Sequence, residues 1–206
     1  MKNILMLIGL LSVLGACDDY YHDSGLANGK HDCTMWEYFK SQPDDWDSTM
    51  ILIEHAGLKE VFDGTNSSYK EITFFGITNL SIEQFLVKTT GDDWEPLYTC
   101  IEDIPVDLCR EMLLSHVISE KMIKTDFDYE VKGTLTGGTT VKTLSGVEFR
   151  VYRIKSSYSG VPDIGAESLA IHALVSGQMA TVASADIEVT NGVVHSLDYT
   201  YEFTQL

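Results

Sequence analysis

The C-terminal stretch limits the choice of fold most sharply. Segments 181–189 and 193–203 are rich in β-branched and aromatic residues and flank Thr190-Asn191-Gly192. Asn-Gly is the favoured dipeptide of a type I′ turn, because both residues accept φ > 0. The spacing therefore predicts a C-terminal antiparallel hairpin with Asn191 and Gly192 in the left-handed region. On its second strand, Val193, His195, Leu197, Tyr199, Tyr201 and Phe203 fall on one face. Val194, Ser196, Asp198, Thr200, Glu202 and Thr204 fall on the other. That period of two predicts one buried face and one wetter face. His195 lies on the apolar face, where a core imidazole bonded to backbone is expected rather than a ligand.

Further β-branched runs at 131–135, 139–144 and 148–154 are separated by Gly-containing turns and read as strands. Segment 157–177 carries no clear pattern apart from an apolar stretch at 168–175. The first half reads as helices. Thr34 followed by Glu37 has the form of a capping box. Ser48 is expected to open a second helix through Ile51, Leu52, His55 and Leu58, which Gly57 ends. Residues 70–75 alternate as a strand. Thr78 and Asn79 read as caps whose side-chain oxygens accept the first-turn N–H groups of a helix bearing Ile82, Phe85 and Leu86. Segment 91–103 is an acidic loop. Pro105 suits the first turn of a helix with Leu108, Met112, Leu113 and His116 along one side. The fold class is α+β, with N-terminal helices packed on a mainly antiparallel β-sandwich or wedge that ends in the hairpin.

Charge narrows the function. The 206 residues include 14 Lys and Arg against 31 Asp and Glu, a formal charge of -17. Such a surface repels phosphate backbones and anionic headgroups, which excludes nucleic acid and electrostatic docking to a membrane. The N-terminus offers a different route to a membrane. Lys2 precedes an apolar run over residues 4–14, about half the ~20 residues a membrane-spanning helix needs. Leu14-Gly15-Ala16-Cys17 resembles the bacterial lipobox, in which the Cys is acylated after cleavage. A plain secretory signal is the alternative. The expected organisation is a signal peptide over 1–16, the lipidated Cys17 and a flexible tether over 17–33, and one domain over 34–206. Asp18 and Asp19 resemble an export signal to the bacterial surface. The expected location is the outer membrane, facing outward; in other bacterial groups Asp at this place means inner-membrane retention.

With Cys17 committed to lipid, Cys33, Cys100 and Cys109 remain, an odd number. Cys100 and Cys109 are close enough to form a disulfide, and Cys33 can equally pair with either. No C-x-x-C, G-x-S-x-G, H-E-x-x-H or P-loop occurs, so no catalytic residue, cofactor or metal is assigned. His116 and Glu120 make at most half a metal site. Asp44-Asp45-Trp46-Asp47 and Asp92-Asp93-Trp94-Glu95 lack EF-hand spacing and read as solvated loops. Trp46 and Trp94 in these polar settings are binding candidates, since a flat ring stacks on a sugar or anchors a protein interface.

The order of motifs resembles the fasciclin domain family. Phe75-Gly76-Ile77-Thr78-Asn79 before Leu80-Ser81-Ile82-Glu83-Gln84-Phe85 is similar to its first signature, with Ile77 in place of Pro. Leu113-Leu114-Ser115-His116-Val117-Ile118 is similar to the next, with Ser115 in place of Tyr. Thr143-Leu144-Ser145-Gly146-Val147, or less well Thr134-Leu135, and Asn191-Gly192-Val193-Val194-His195 complete the series. The resemblance implies a fasciclin-like fold and a non-catalytic module that binds proteins or glycans. The family's Tyr-His pair is tied to receptor binding. Without the Tyr that activity is not carried over, and His116 stays a binding candidate only. Surface lipoproteins with such domains suggest an accessory subunit of an outer-membrane TonB-dependent nutrient-uptake complex. Its expected partners are the membrane, through the lipid, and another outer-membrane protein or a surface glycan. The alternatives are a free adhesin for host matrix or other cells, and, below that, a glycan-processing enzyme using an Asp/Glu pair.

Overall fold

The computed structural model describes residues 29–201. The signal peptide, Cys17, most of the tether and Phe203 lie outside the described residues. The chain opens with three helices. Helix α1 (Met35–Ser41) starts with a full capping box: Thr34 Oγ1 accepts from Glu37 N at 3.2 Å, and Thr34 N donates to the Glu37 carboxylate at 2.8 Å. Helix α2 (Pro43–His55) begins at Pro43, a turn before Ser48. Proline has no N–H to lose there and its φ is already helical. Ala56 and Gly57 close it, with Gly57 at φ +64 and Leu58 N donating to Ile53 O at 3.0 Å, a Schellman arrangement. A short α3 (Lys59–Phe62) follows. After strand β1 (Ile72–Gly76) come α4 (Asn79–Lys88) and α5 (Val106–Leu114).

The remaining strands are β2 (Val117–Ile118), β3 (Thr139–Lys142), β4 (Glu148–Lys155), β5 (Glu167–Ala173), β6 (Met179–Val189) and β7 (Gly192–Leu197). They form one mixed sheet in the order β2-β1-β7-β6-β5-β4-β3. All neighbours run antiparallel except β1 and β7, which pair in parallel from Ile72↔Gly192 to Gly76↔Ser196. Strand β6 serves both halves of the sheet. Its start, through Thr181, pairs with β5, and Val182 to Val189 pair with β7 across two register shifts. Such bulges bend a strand, and the sheet becomes a wedge.

Three sequence expectations change here. Residues 131–135 form a turn, with Gly133 at φ +75 and Thr134 bonding the Val131 carbonyl through both its N–H and its hydroxyl. The β-branched side chains are spent on a loop because no partner strand reaches them. Strand β7 stops at Leu197, where Asp198 Oδ1 accepts from Thr200 N and Oγ1 and closes a turn. The wetter face of β7 is also missing: every residue from Gly192 to Leu197 is buried. A central strand of a mixed sheet is covered on both sides, and only an edge or half-exposed strand alternates. On one side Phe74 packs against Phe39 and Phe62 under the helices, at ring separations of 6.0 and 5.0 Å. On the other, Phe75 packs against Phe127, Phe149 and His195 inside the wedge. Both sides belong to one continuous core.

The hairpin itself differs from the expected type I′ turn. Val189 pairs with Gly192, so the two-residue loop is Thr190-Asn191, and neither lies at positive φ. Gly192 is glycine for another reason. Its φ is +147, and a Cβ there would sit 1.9 Å from the Ile72 carbonyl oxygen. Asn191 is buried and reaches across the molecule. Its Oδ1 accepts from Met35 N at 2.7 Å, its Nδ2 donates to Phe62 O at 2.9 Å, and its own carbonyl accepts from Ile72 N at 3.2 Å. One amide thus satisfies the first N–H of α1 and the last carbonyl of α3, both orphaned at helix ends. Asn191→Ala leaves two buried groups unpaired, each costing about 1–3 kcal/mol. Urea unfolding is expected to show a loss of about 2–4 kcal/mol; a loss below about 0.5 kcal/mol would show that this tie contributes nothing.

Candidate functional site

The exposed candidate is a short loop after α4. Thr90 and Pro96 form an antiparallel bridge, Leu97 N donates to Thr89 O at 2.8 Å, and Gly91 N donates to Glu95 O at 2.9 Å. Trp94 N donates to Gly91 O at 3.1 Å and Glu95 N to Asp93 Oδ1 at 3.2 Å. These bonds fix a small hairpin, and Trp94 stands at its tip with φ +66 and 85% of its surface exposed. Leu97 and Val87 are exposed beside it in the chain. A broad, rigid ring held out on a bonded loop loses little side-chain entropy when it meets a partner, which is what an anchoring aromatic requires. Asp92, Asp93 and Glu95 around it are exposed too.

The other sequence candidates lie elsewhere. Trp46 is 2% exposed and stacks on Phe39 at 4.7 Å between centroids. It occupies the inward position of the first turn of α2, with Thr49 and Ile53 at helical spacing behind it and Asp44, Asp45 and Asp47 facing solvent. A Cβ on Gly76 would lie 2.5 Å from the indole, so Gly76 makes room for this ring. Trp46 is core, and its candidacy as a binding residue falls with its exposure. His116 is also wholly buried. Its Nδ1–H donates to Met112 O at 2.7 Å, and its ring lies 5.6 Å from Tyr201 and 6.0 Å from Phe149. A group with no accessible surface meets no outside partner, so His116 is corrected from binding candidate to core residue.

Thr78 stands at the N-cap of α4 but makes no side-chain cap bond. Asn79 serves α2 instead: its Oδ1 accepts from Ser48 N at 2.8 Å, and its Nδ2 donates to Pro43 O at 2.9 Å and Asp44 O at 3.0 Å. The expected capping of their own helix by these two side chains is thus replaced by a cross-link between helices. His195 accepts from Asp186 N at Nδ1, 3.2 Å, and its Nε2–H donates to Met122 O at 2.9 Å. Both ring nitrogens go to backbone. The Cys100–Cys109 pairing is absent. Cys100 is exposed, Cys109 is buried in α5 with its thiol toward Ile104 O at 3.8 Å, and Cys33 is likewise unbonded. Cys17 lies outside the described residues.

Two features escaped the sequence reading. A cleft of about 430 Å³ is lined by residues that include Tyr152, Ile154, Met179, Asp198, Thr200 and Tyr201. A smaller one, about 200 Å³, includes Tyr129, Lys132, Arg153, Lys155 and Asp163. Arg153 and Lys155 lie 4.0 and 4.7 Å from the Tyr129 ring centroid, and the Tyr129 hydroxyl donates to Glu167 at 2.6 Å. That hydroxyl holds the Glu167 carboxyl below its ordinary range. Neither cleft carries a sequence signal, because its residues come from strands far apart in the chain. Among the described residues no group of three or more His, Cys, Asp or Glu could hold a metal ion.

The two core imidazoles make stability depend on pH. Burial pushes His116 down from 6.5 to about 4 and lowers His195 as well. Between these values the unfolded chain binds a proton that the native state refuses, so stability falls as pH falls. It is complete above the ordinary His range and declines toward pH 4. From about pH 7.5 to 5, urea unfolding is expected to register a loss of about 2 kcal/mol for His116 alone. A flat profile over that range would show that the native protein takes up protons on these rings as readily as the unfolded chain does.

No curated protein matches the chain. Among solved structures it is similar to a FAS1 domain pair from the insect cell adhesion molecule fasciclin I, at 18% identity and a TM-score of 0.46. The match covers 82% of this chain and 46% of that one, so this chain spans less than half of the domain pair. The fasciclin domain model matches residues 44–200, from the first turn of α2 to the turn after β7, and the chain belongs to the fasciclin domain family.

Proposed function

We propose that this chain is a non-catalytic binding module displayed on a bacterial surface, with the Trp94 loop as its contact. The observation that carries this reading is the exposure of Trp94 on a hydrogen-bonded hairpin, with Leu97 and Val87 exposed in the same segment of chain. Membership of a family whose domains commonly mediate adhesion or binding supports it. The lipobox-like Leu14-Gly15-Ala16-Cys17 supports anchoring through lipid, and Asp18-Asp19 supports an outward-facing place in the outer membrane. The finer reading is an accessory subunit of a TonB-dependent uptake complex. A free adhesin is the alternative. Both use the same exposed ring, and the identity of what co-purifies separates them.

Cys17→Ser is expected to move the protein from the membrane fraction to the soluble fraction. Retention in the membrane would remove the lipid anchor from this reading. Trp94→Ala is expected to leave the melting temperature unchanged, because the ring is outside the core. It should weaken binding to the partner recovered from detergent-solubilised membranes by at least about 30-fold, the mark of an anchoring aromatic. Unaltered binding would discard the loop as the contact, and recovery of the chain alone would discard the complex.

A further inference from the structure

Two loops in the second half of the chain hold out apolar side chains that the core does not use. One is the turn at 131–136, with Val131 and Leu135 both more than half exposed. The other joins β4 to β5, with Tyr158, Val161 and Ile164 between 49% and 67% exposed. Internal bonds keep both loops in shape. Val131 N donates to Thr136 O at 3.0 Å, Tyr158 and Val161 exchange N–H to carbonyl bonds at 3.0 and 2.9 Å, and Gly165 N donates to Ser156 O at 2.9 Å. Lys132 joins the two loops, pairing with Asp163 and donating to Lys155 O at 3.4 Å. Lys132 and Asp163 are also the only charged residues within 131–136 and 156–165. The loops are thus electrically neutral and apolar on a chain of -17. Exposed apolar surface of this kind marks a contact with protein or with lipid. Aliphatic side chains with one Tyr and a Lys match an interfacial lipid contact, whereas the centres of protein interfaces favour Trp, Phe, Met and Arg and are poor in Lys.

Strand pairing fixes which end of the domain carries these loops. Strands β4 and β5 pair from Phe149↔Ala173 to Lys155↔Glu167, so loop 156–166 lies at the opposite end of this ladder from the 174–178 turn. Strand β6 starts beside that turn, with Met179 opposite His172, and runs away from it to Val189. Near the far end of β6 lies Gly29, the first described residue: Glu188 N donates to Gly29 O at 2.6 Å, and His31 N to Glu188 O at 2.8 Å. Asp186 is also beside Gly29 and accepts from Lys124 N at 2.6 Å, while Asp128 O accepts from Arg153 N at 2.9 Å. The four residues from Lys124 to Asp128 span at most about 14 Å, so the start of the domain and the last turn of the β4 ladder stay close. Gly29 lies twelve residues after Cys17, at most about 43 Å of chain. A lipid on Cys17 therefore holds this end of the domain nearest the bilayer.

We infer that loops 131–136 and 156–165 rest on the bilayer that carries the anchor, with their aliphatic side chains below the headgroups and Tyr158 at headgroup level. The contact is apolar, so the acidity of the chain as a whole does not forbid it. It is too small to hold the protein by itself. The tether makes it intramolecular, at an effective concentration of order mM. The domain then stands with its 174–178 turn away from the membrane. This inference rests on the lipid-anchor reading and is independent of the Trp94 loop.

The test uses the acylated full chain, purified in detergent and reconstituted into phosphatidylcholine vesicles with and without brominated acyl chains, which quench tryptophan on contact. In a Trp94→Phe background, Tyr158→Trp is expected to lose most of its added emission in the brominated vesicles. Val175→Trp, at an exposed position on the 174–178 turn, should lose none. Adding Val161→Asp and Ile164→Asp to Tyr158→Trp should abolish the quenching and leave flotation with the vesicles unchanged, because both side chains are exposed and the anchor is intact. A chain that floats but keeps its emission at position 158 overturns the inference and leaves the anchor standing. A chain that does not float has no anchor, and both readings fall. Equal quenching at positions 158 and 175 overturns the inference. So does emission at 158 that is blue-shifted yet unquenched, the result of a protein partner or a second copy covering the loops.

Discussion

The fold is tied together by the side-chain amide of Asn191. A hairpin loop supplies it, yet its bonds go to Met35 N and Phe62 O, on helices at the other end of the sequence. Both partners are groups that a helix cannot satisfy for itself. Neither is exposed to water that could replace the bond, so the amide sets where α1 starts and where α3 ends relative to the sheet. Gly192 beside it does the complementary work by absence. Without a Cβ, β7 closes onto β1 at a distance that no other residue permits. One residue holds by bonding and its neighbour by vacating space, and together they join the helical layer to the middle of the sheet.

The buried polar groups repeat this pattern. His195, inside the wedge, spends both nitrogens on backbone groups of segments that have no regular ladder to pair with, at Met122 and Asp186. Asp186 in turn accepts from Lys124 N at 2.6 Å. Thr73 works likewise, donating to Glu120 O and accepting from Met122 N. The crossing from β2 to β3 is thus pinned through side chains. Among the described residues, the carboxylate near the His195 imidazole is that of Asp186, at 4.0 Å. Core polarity is neutral and local, and the charge is left to the surface.

What was legible in the sequence was local chemistry. The Thr34–Glu37 box and the Gly57 terminus are decided within a few residues, and both were readable. The alternation of 193–197 marked a strand, but it could not say that a parallel neighbour would cover the second face. Asn191-Gly192 was visible as a turn, whereas its real chemistry depends on Met35, Phe62 and Ile72, which no local pattern joins to it. Trp46 misled because its acidic neighbours were read as a loop. Counting the helix from Pro43 puts Trp46, Thr49 and Ile53 on one stripe. His116 was read on the side of the helix from Pro105 because the helix pattern ran on past Leu114, where the helix ends. The α+β class survived these errors, since it rests on the sum of many local preferences. The clefts did not appear at all, because their walls meet only in three dimensions.

The parallel pairing of β1 with β7 has a consequence for how the chain acquires its shape. Ile72 finds its neighbour at Gly192, across most of the domain. Closing so long a loop is entropically slow, and topologies built on distant contacts fold late. The centre of the sheet cannot assemble before β7 has been made. Until then β1 has only the two-residue β2 beside it, and the helices have no finished floor to rest on. Until β7 is available the strand that joins the helical layer to the rest of the sheet has no central partner, so the last strand formed is also the one that completes the core.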